Sequence, residues 1–491
     1  MLAGGGKEGG WGGQYSGGGC DTIDVRLASG MTSRNRLKER GRAALLLAVA
    51  ALAGAGPKPA APMKMNVATA MQVFEEKSLD LRSLKADIER SRARHSEIVV
   101  LPGPTLSMRG SWSDFRGSFS GFSGGGVPGN FGSLSAGPAQ ALGPPVNQEE
   151  RSRFLTGSLS YLLFSGGKVE SLRKSAAIGV TRSRLNYEKR RNELLLQVQE
   201  SFYRVLQTQH QVDVATATVE SLIELHKVTE SLLNAGNVPK ADLLRVDTDL
   251  ANGRVQQVQA GNLHRVAVSS FLTLLNLPQN TELEWVEPEV TLLPVKEDLP
   301  ALIEEAEARR QEPEMARLGI QAARAGVRAE QADYFPSLSV AGSYSWLDSK
   351  LFPGNTSWGV SASVSWTLFD SGFNAAQVRE NEQAEVQSRL GLEQTRQAIE
   401  VEVTQAYLNL SATEAALDAA KSGLESGKES LRVSKLRYQN GYGTQLEVLD
   451  ATAAESRAES TFYQAVYGYL TAAAAYRKAL GLPLYEADSG G

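Results

Sequence analysis

A single cysteine, Cys20, occurs in 491 residues. It lies upstream of an apolar run and no lipobox-like leucine precedes it, so a lipidated N-terminus is not expected. Without further thiols the chain can form neither a disulfide framework nor a cysteine-based metal site. Histidine is almost as scarce: His95 and His264 fall in different helical segments from His210 and His226. His210 and His226 sit about 160° apart around one helix, so all four read as surface residues and none as a metal ligand. No stretch reaches the 18 uninterrupted apolar residues of a membrane-spanning helix. Gly166-Gly-Lys168 lacks the frame of a phosphate-cradling loop, and no nucleophile, base and orienting group recur at catalytic spacing. The sequence therefore gives no residue set for an enzyme and implies no cofactor.

The N-terminus reads as a leader. Residues 31–42 are basic, residues 43–53 are an unbroken apolar run, and small-x-small cleavage sites follow. Residues 31–55 are expected to be a secretory signal peptide, too short for an anchor, with glycine-rich residues 1–30 a mis-called start or a scar. Removing residues 1–55 leaves 44 basic and 51 acidic residues, a net charge of −7. A mildly acidic exported chain is a poor partner for nucleic acid.

What is present is a duplication. Residues 154–164 fall on 359–369 at an offset of 205, Phe202 on Tyr407, Gly236 on Gly441, and Leu275–Pro278 on Leu480–Pro483. Leu106–Trp112 matches Leu338–Tyr344 at an offset of 232. Each copy reads helix, strand, loop, strand, very long helix, turn, helix. The first copy, 67–278, has helices at 67–99, 168–234 and 240–276, with strands at 105–115 and 154–164. The second, 299–484, has helices at 299–334, 372–439 and 445–480, with strands at 337–346 and 358–369. Glycine- and proline-rich residues 116–150 read as a long flexible loop, 279–298 as a linker and the residues after Pro483 as an unstructured tail. Val198, Phe202, Val205 and Val212, with Val403, Tyr407, Leu410 and Leu417 in the second copy, form heptad seams interrupted once each by Gln209 and Glu414. An ordinary two-stranded coiled coil would carry the same seams.

The strands are two-faced. Trp358, Val360, Ala362, Val364, Trp366 and Leu368 point one way, while Gly359, Ser361, Ser363, Ser365, Thr367 and Phe369 point the other. Leu155, Leu159, Tyr161 and Leu163 repeat the apolar stripe in the first copy, and Trp112, Trp346 and Trp358 sit where interface aromatics belong. A soluble sandwich with serine toward water is the alternative. Four strands cannot close a membrane barrel, because open edges are not tolerated in lipid; two copies give a filled barrel and three leave a lumen.

The residues Phe335–Tyr344, Leu368–Gly372, Gln405–Leu410, Arg437–Gly441, Leu446–Ala451 and Leu480–Pro483 resemble those of TolC-type outer-membrane efflux proteins, and the likeness runs from about 67 to 484. The resemblance implies a mainly α fold with membrane β structure. Tandem long helical hairpins would form a trimeric α-barrel tunnel through the periplasm, below a 12-stranded outer-membrane barrel. It implies a passive duct in a tripartite efflux or type I secretion system, partnered by a periplasmic adaptor and an inner-membrane pump of RND or ABC type. A soluble periplasmic coiled-coil adaptor or scaffold is the alternative.

The turns between long and short helices lie farthest from the strands. Glu447 and Asp450 are three apart, hence neighbours on one helix face, and would form an acidic ring in an oligomer. Two acids at a helix start could equally complement the helix dipole. The resemblance makes this pair the pore constriction, Asp242 and Tyr438 closed-state links, and Gly236, Gly441, Gly443 and Leu446 the tip that meets the adaptor. Gly443 stands where the family carries a linking arginine, and Arg245 replaces the second acid in the first copy. The three turn glycines are expected to supply positive φ.

Overall fold

The computed structural model describes residues 63–119, 146–293, 298–349 and 353–484. The expected signal peptide, Cys20, the middle of the first inter-strand loop and the tail lie outside the described residues. Two helices set the scale: α3, Lys168–Asn234, and α7, Phe373–Gln439, of 67 residues each. Each is about 100 Å long at the helical rise of 1.5 Å per residue. α2, Leu79–Val100, and α6, Gln311–Gln331, flank their strand-side halves; α4, Lys240–Leu274, and α8, Gln445–Ala479, flank the halves that run to the turns. Packing gives the order α2–α3–α6–α7 at the strand end and α4–α3–α8–α7 at the turn end. The helices thus lie side by side as one strip. The seam residues Val198, Phe202, Val205, Val403 and Leu410 are fully buried in it.

The first helix of each copy is broken, contrary to the continuous helices 67–99 and 299–334 expected above. α1, Val67–Lys77, stops at Ser78, whose hydroxyl accepts from Leu81 N at 3.2 Å to start α2. α5, Leu299–Arg309, stops at Arg310, which is extended (φ −74°, ψ 150°) before α6. Pro313 lies in the first turn of α6, where a missing N–H is harmless; in a continuous helix it would lose a bond to the preceding turn. The kink is the answer to that proline.

The described part of the linker 279–298 is also structured. β4, Leu283–Trp285, pairs in parallel with β1, Met63–Met65, and Trp285 packs its ring 5.9 Å from Phe202 and 5.5 Å from Phe271. This short sheet straps the middle of the first copy.

The four remaining strands, β2 (Thr105–Phe119), β3 (Val146–Ser165), β5 (Ser337–Ser349) and β6 (Asn355–Ser365), form one antiparallel sheet in the order β2-β3-β5-β6. The first hairpin runs well into the expected loop, with Phe119 opposite Val146. Backbone ladder bonds propagate through its glycines and serines. β6, in contrast, starts earlier and ends sooner than expected. Its last partner pair is Ser337↔Ser365, and Pro336 beyond has no N–H to offer. Trp366 and Leu368 therefore leave the sheet, and Trp366 Nε1 donates to the Tyr334 carbonyl at 3.1 Å.

Register puts Leu106, Leu159, Gly342 and Val360 in one row, with Trp358 opposite Tyr344 and Val364 opposite Leu338. Tyr161 joins this face through Val340. A bulge between Leu162 and Phe164 makes Leu163 the extra residue and gives its place to Phe164, opposite Leu338. Serines fill the reverse face and pair across strands: Ser107 with Ser158 (2.7 Å), Ser113 with Ser152 (2.6 Å), Thr156 with Ser345 (3.1 Å) and Ser339 with Ser363 (2.8 Å). The apolar face is bare, with Leu106 80% and Trp358 79% exposed. A contiguous apolar face of this size requires cover.

Candidate functional site

At the turn end, α3 and α7 stop in the same way. Gly236 (φ 76°) and Gly441 (φ 78°) take the left-handed conformation, and Asn237 and Tyr442 N–H reach back to the carbonyls of Leu232 (2.9 Å) and Arg437 (2.8 Å). Gly443 does something else. Its φ is not positive; a Cβ there would stand 3.1 Å from Arg437 Cβ and from Tyr438 N. Close packing against the end of α7 thus favours glycine here, since any larger residue would push Arg437 or the Tyr438 backbone aside by a few tenths of an ångström.

Another arginine supplies a link. Arg437 Nη1 lies 3.5 Å from Glu447 Oε2, and its Nη2 donates to the Tyr442 carbonyl at 3.2 Å, joining α7 to α8. Both partners are largely exposed, so the pair is worth less than about 1 kcal/mol. Nothing in the sequence pattern marks Arg437, because its partner lies across the turn.

Glu447 is the third residue of α8, and Thr444 Oγ1 accepts from its N–H at 3.3 Å. A Thr-x-x-Glu arrangement of this kind belongs to helix starts, so the dipole explanation holds for Glu447. It does not extend to Asp450, which lies beyond the first turn and is exposed. Asp242 is the equivalent first-turn acid of α4.

Among the described residues no bond joins Asp242 to Tyr438. The Tyr438 hydroxyl lies 3.3 Å from Thr229 Oγ1 on α3, and the Asp242 carbonyl accepts from Gln445 Nε2 at 2.9 Å. Tyr438 is buried among Leu222, Leu225, Val246, Val448 and Leu449, so it fastens the end of α7 to α3, α4 and α8. Tyr442 (80% exposed) and Leu446 (43%) project at the tip.

Midway along the wall lies a buried ion cluster that the sequence did not mark. Arg310, 6% exposed, holds Glu312 at 2.7 Å and Glu402 of α7 at 2.6 Å, and Lys478 of α8 holds the other Glu402 oxygen at 2.6 Å. Burial alone would raise both carboxyl pKa values; Arg310 at Glu312, and Lys478 with Arg310 at Glu402, outweigh it and hold both below the ordinary range. His210 is not a surface residue as expected. Its ring stacks 3.8 Å from that of Tyr463 on α8, and its Nε2 lies 3.1 Å from Glu287. His226 meets Asp247 at 3.0 Å, and His264 lies 3.3 Å from Thr208 with its pKa lowered chiefly by burial. Among the described residues no group of three or more His, Cys, Asp or Glu is placed to hold a metal.

The chain is a duplicated strip of long helical hairpins, with a four-stranded sheet bare on one face and hydroxyl-lined on the other. Residues 71–276 and 302–482 match the outer membrane efflux protein family, and the chain belongs to that family. Its fold is that of solved channels. The outer-membrane channel OprN is 21% identical, with a TM-score of 0.68 over 85% of this chain and 90% of its own. The open-state channel MtrE of Neisseria gonorrhoeae is 21% identical, with a TM-score of 0.67 over 85% and 89%. The outer membrane protein VceC of Vibrio cholerae is 14% identical, with a TM-score of 0.67 over 85% and 97%. No curated protein matches the chain. The protein is thus an outer-membrane efflux channel component, its family and fold are those of channels and not of enzymes, and the soluble-adaptor alternative finds no support.

Proposed function

We propose that the protein works as a homotrimer, forming a passive duct of 12 strands in the outer membrane and a helical tunnel below it. One observation carries this reading: the free edge of the protomer repeats its own internal joint. Leu449 and Tyr463 of α8 pack against neighbouring helices. At the offset of 205 they correspond to Leu244 and Val258 of α4, which are 55% and 68% exposed. α8 packs along both α3 and α7, whereas α4 packs along α3 and meets α7 and α8 through the Val246 cluster at the turn end. A second copy's α7, with Val433 and Leu436 exposed, supplies the missing neighbour. The sheet has the same incompleteness, since β2 and β6 each lack an outer partner among the described residues. Lipid contact through Leu159, Tyr161, Trp358, Val360 and Val364 leaves the serine face to line a wet lumen.

The gate is the tip. Glu447 and Asp450 form the constriction, and release of the Tyr438 cluster lets the ends of α7 and α8 part. Gly236, Gly441, Gly443 and Leu446 lie where a periplasmic adaptor docks, and an inner-membrane RND or ABC pump supplies the energy. Asp242 contributes its carbonyl to the closed turn. Reconstituted wild-type protein is expected to give discrete conductance steps in planar bilayers and to fractionate with the outer membrane. Absence of steps from correctly assembled protein would overturn the duct. Replacing Glu447 and Asp450 together with alanine is expected to lower cation selectivity; an unchanged reversal potential would remove them from the constriction.

A further inference from the structure

We infer that Arg245 is a selectivity determinant of the duct, placing a countercharge in the constriction so that the aperture is charge-balanced instead of acidic. The inference rests on the duct proposed above and says which cargo it passes. Arg245 and Asp450 are equivalent at the offset of 205, in the second turns of α4 and α8. Helices related by the repeat present equivalent residues to the same side of the wall, so whichever side Asp450 lines, Arg245 lines too. The two helix starts adjoin, because Gln445 of α8 bonds the Asp242 carbonyl of α4.

Neither residue has a structural task. Both are exposed, and neither forms an ion pair among the described residues. Both lie beyond the first turn, where the helix dipole acts. Glu447 pairs with Arg437 and Asp247 with His226, while Asp242 and Asp249, at i−3 and i+4 from Arg245 on α4, make no ion pair with it among the described residues. Around the turns, Asp242, Glu447 and Asp450 stand against Lys240, Arg245 and Arg437. Three copies would set six second-turn charges of alternating sign around the opening. Such a ring neither concentrates cations nor repels anions strongly. It suits amphiphilic, zwitterionic and anionic solutes, which an all-acid ring would slow.

The test measures cation-to-anion permeability ratios of full-length protein in planar bilayers under a KCl gradient, for wild type, Arg245→Gln, Arg245→Glu, Arg245→Lys and Asp450→Asn. Arg245→Gln is expected to raise the ratio about threefold and Arg245→Glu about tenfold, as Coulomb interactions across a narrow wet pore predict. Arg245→Lys should keep the wild-type ratio, which a merely steric role for Arg245 would not, and Asp450→Asn should lower it. If wild type conducts and Asp450→Asn shifts the ratio while the glutamine and glutamate variants do not, Arg245 is excluded and the constriction stands. If no variant shifts the ratio, both are excluded from the aperture. Wild type without conductance would overturn the duct itself.

Discussion

Replacing Arg310 with methionine is expected to lower stability at neutral pH by about 3 kcal/mol, because removing one partner strands buried charge. Methionine keeps the stem of the side chain and removes only the guanidinium. Glu312, at 15% exposure, then loses its 2.7 Å partner and keeps only the more distant Lys189 at 3.9 Å, and Glu402 keeps Lys478 alone. Glu402 is more open, which puts the loss at the low end of the range for broken buried pairs. The pH dependence has a definite sign. Both carboxyl pKa values are depressed in the fold, so their stabilisation is present above the unfolded value of about 4.3 and disappears as pH falls through the folded value. Wild type should therefore lose stability on acidification below that value, and Arg310→Met should lose less, so that their melting curves converge. Thermal melts at neutral pH and below pH 4 check this. Equal melting of variant and wild type at neutral pH would show that the cluster contributes nothing. The first copy makes the same kink without ions: Ser78, the counterpart of Arg310 at the offset of 232, caps α2 through its hydroxyl, and Asn276 bonds the Lys77 carbonyl.

Much of this architecture was legible because it is periodic. A duplication, two 67-residue helices and strands alternating at period 2 each leave many concordant residues, so their existence and type survive local exceptions. Single-residue events leave one residue each. The breaks at Ser78 and Arg310 cost the chain one extended residue apiece, and only Pro313 hinted at the second. The end of β6 is set by Pro336 on the neighbouring strand, which the alternation of Trp366 and Leu368 within their own segment cannot report. The pairing of β1 with β4 and the stack of His210 on Tyr463 depend on which distant segments meet, and the link from Arg437 to Glu447 on how the turn between them folds. At the tip, Glu447 and Asp450 looked alike in sequence. Geometry separates them, since Glu447 sits in the first turn of α8, where it complements the dipole and meets Arg437, and Asp450 has no local task.

Leu244→Glu is expected to abolish the trimer while leaving the protomer folded. In the proposed wall Leu244 occupies the site that Leu449, 8% exposed, fills at the internal joint. Burying a leucine there contributes about 1.5–3 kcal/mol, and an unpaired carboxylate in its place costs several more after relaxation. A closed ring makes that joint in every copy, so each subunit pays the same penalty and partial rings keep exposed edges. Val258→Glu, about four helical turns away on the same strip, should act in the same direction. The equivalent change at the internal joint, Leu449→Glu, separates assembly from folding. It should reduce helical order in the protomer itself, because Leu449 packs with Leu222, Leu225, Val246, Tyr438 and Val448 of the same chain. Sedimentation or native mass spectrometry in detergent, read beside far-UV circular dichroism, distinguishes the two. Leu244→Glu protein that is helical and monomeric places α4 at the joint between copies; trimeric Leu244→Glu protein would mean that the copies meet elsewhere, and the resemblance between free edge and internal joint would have no bearing on assembly.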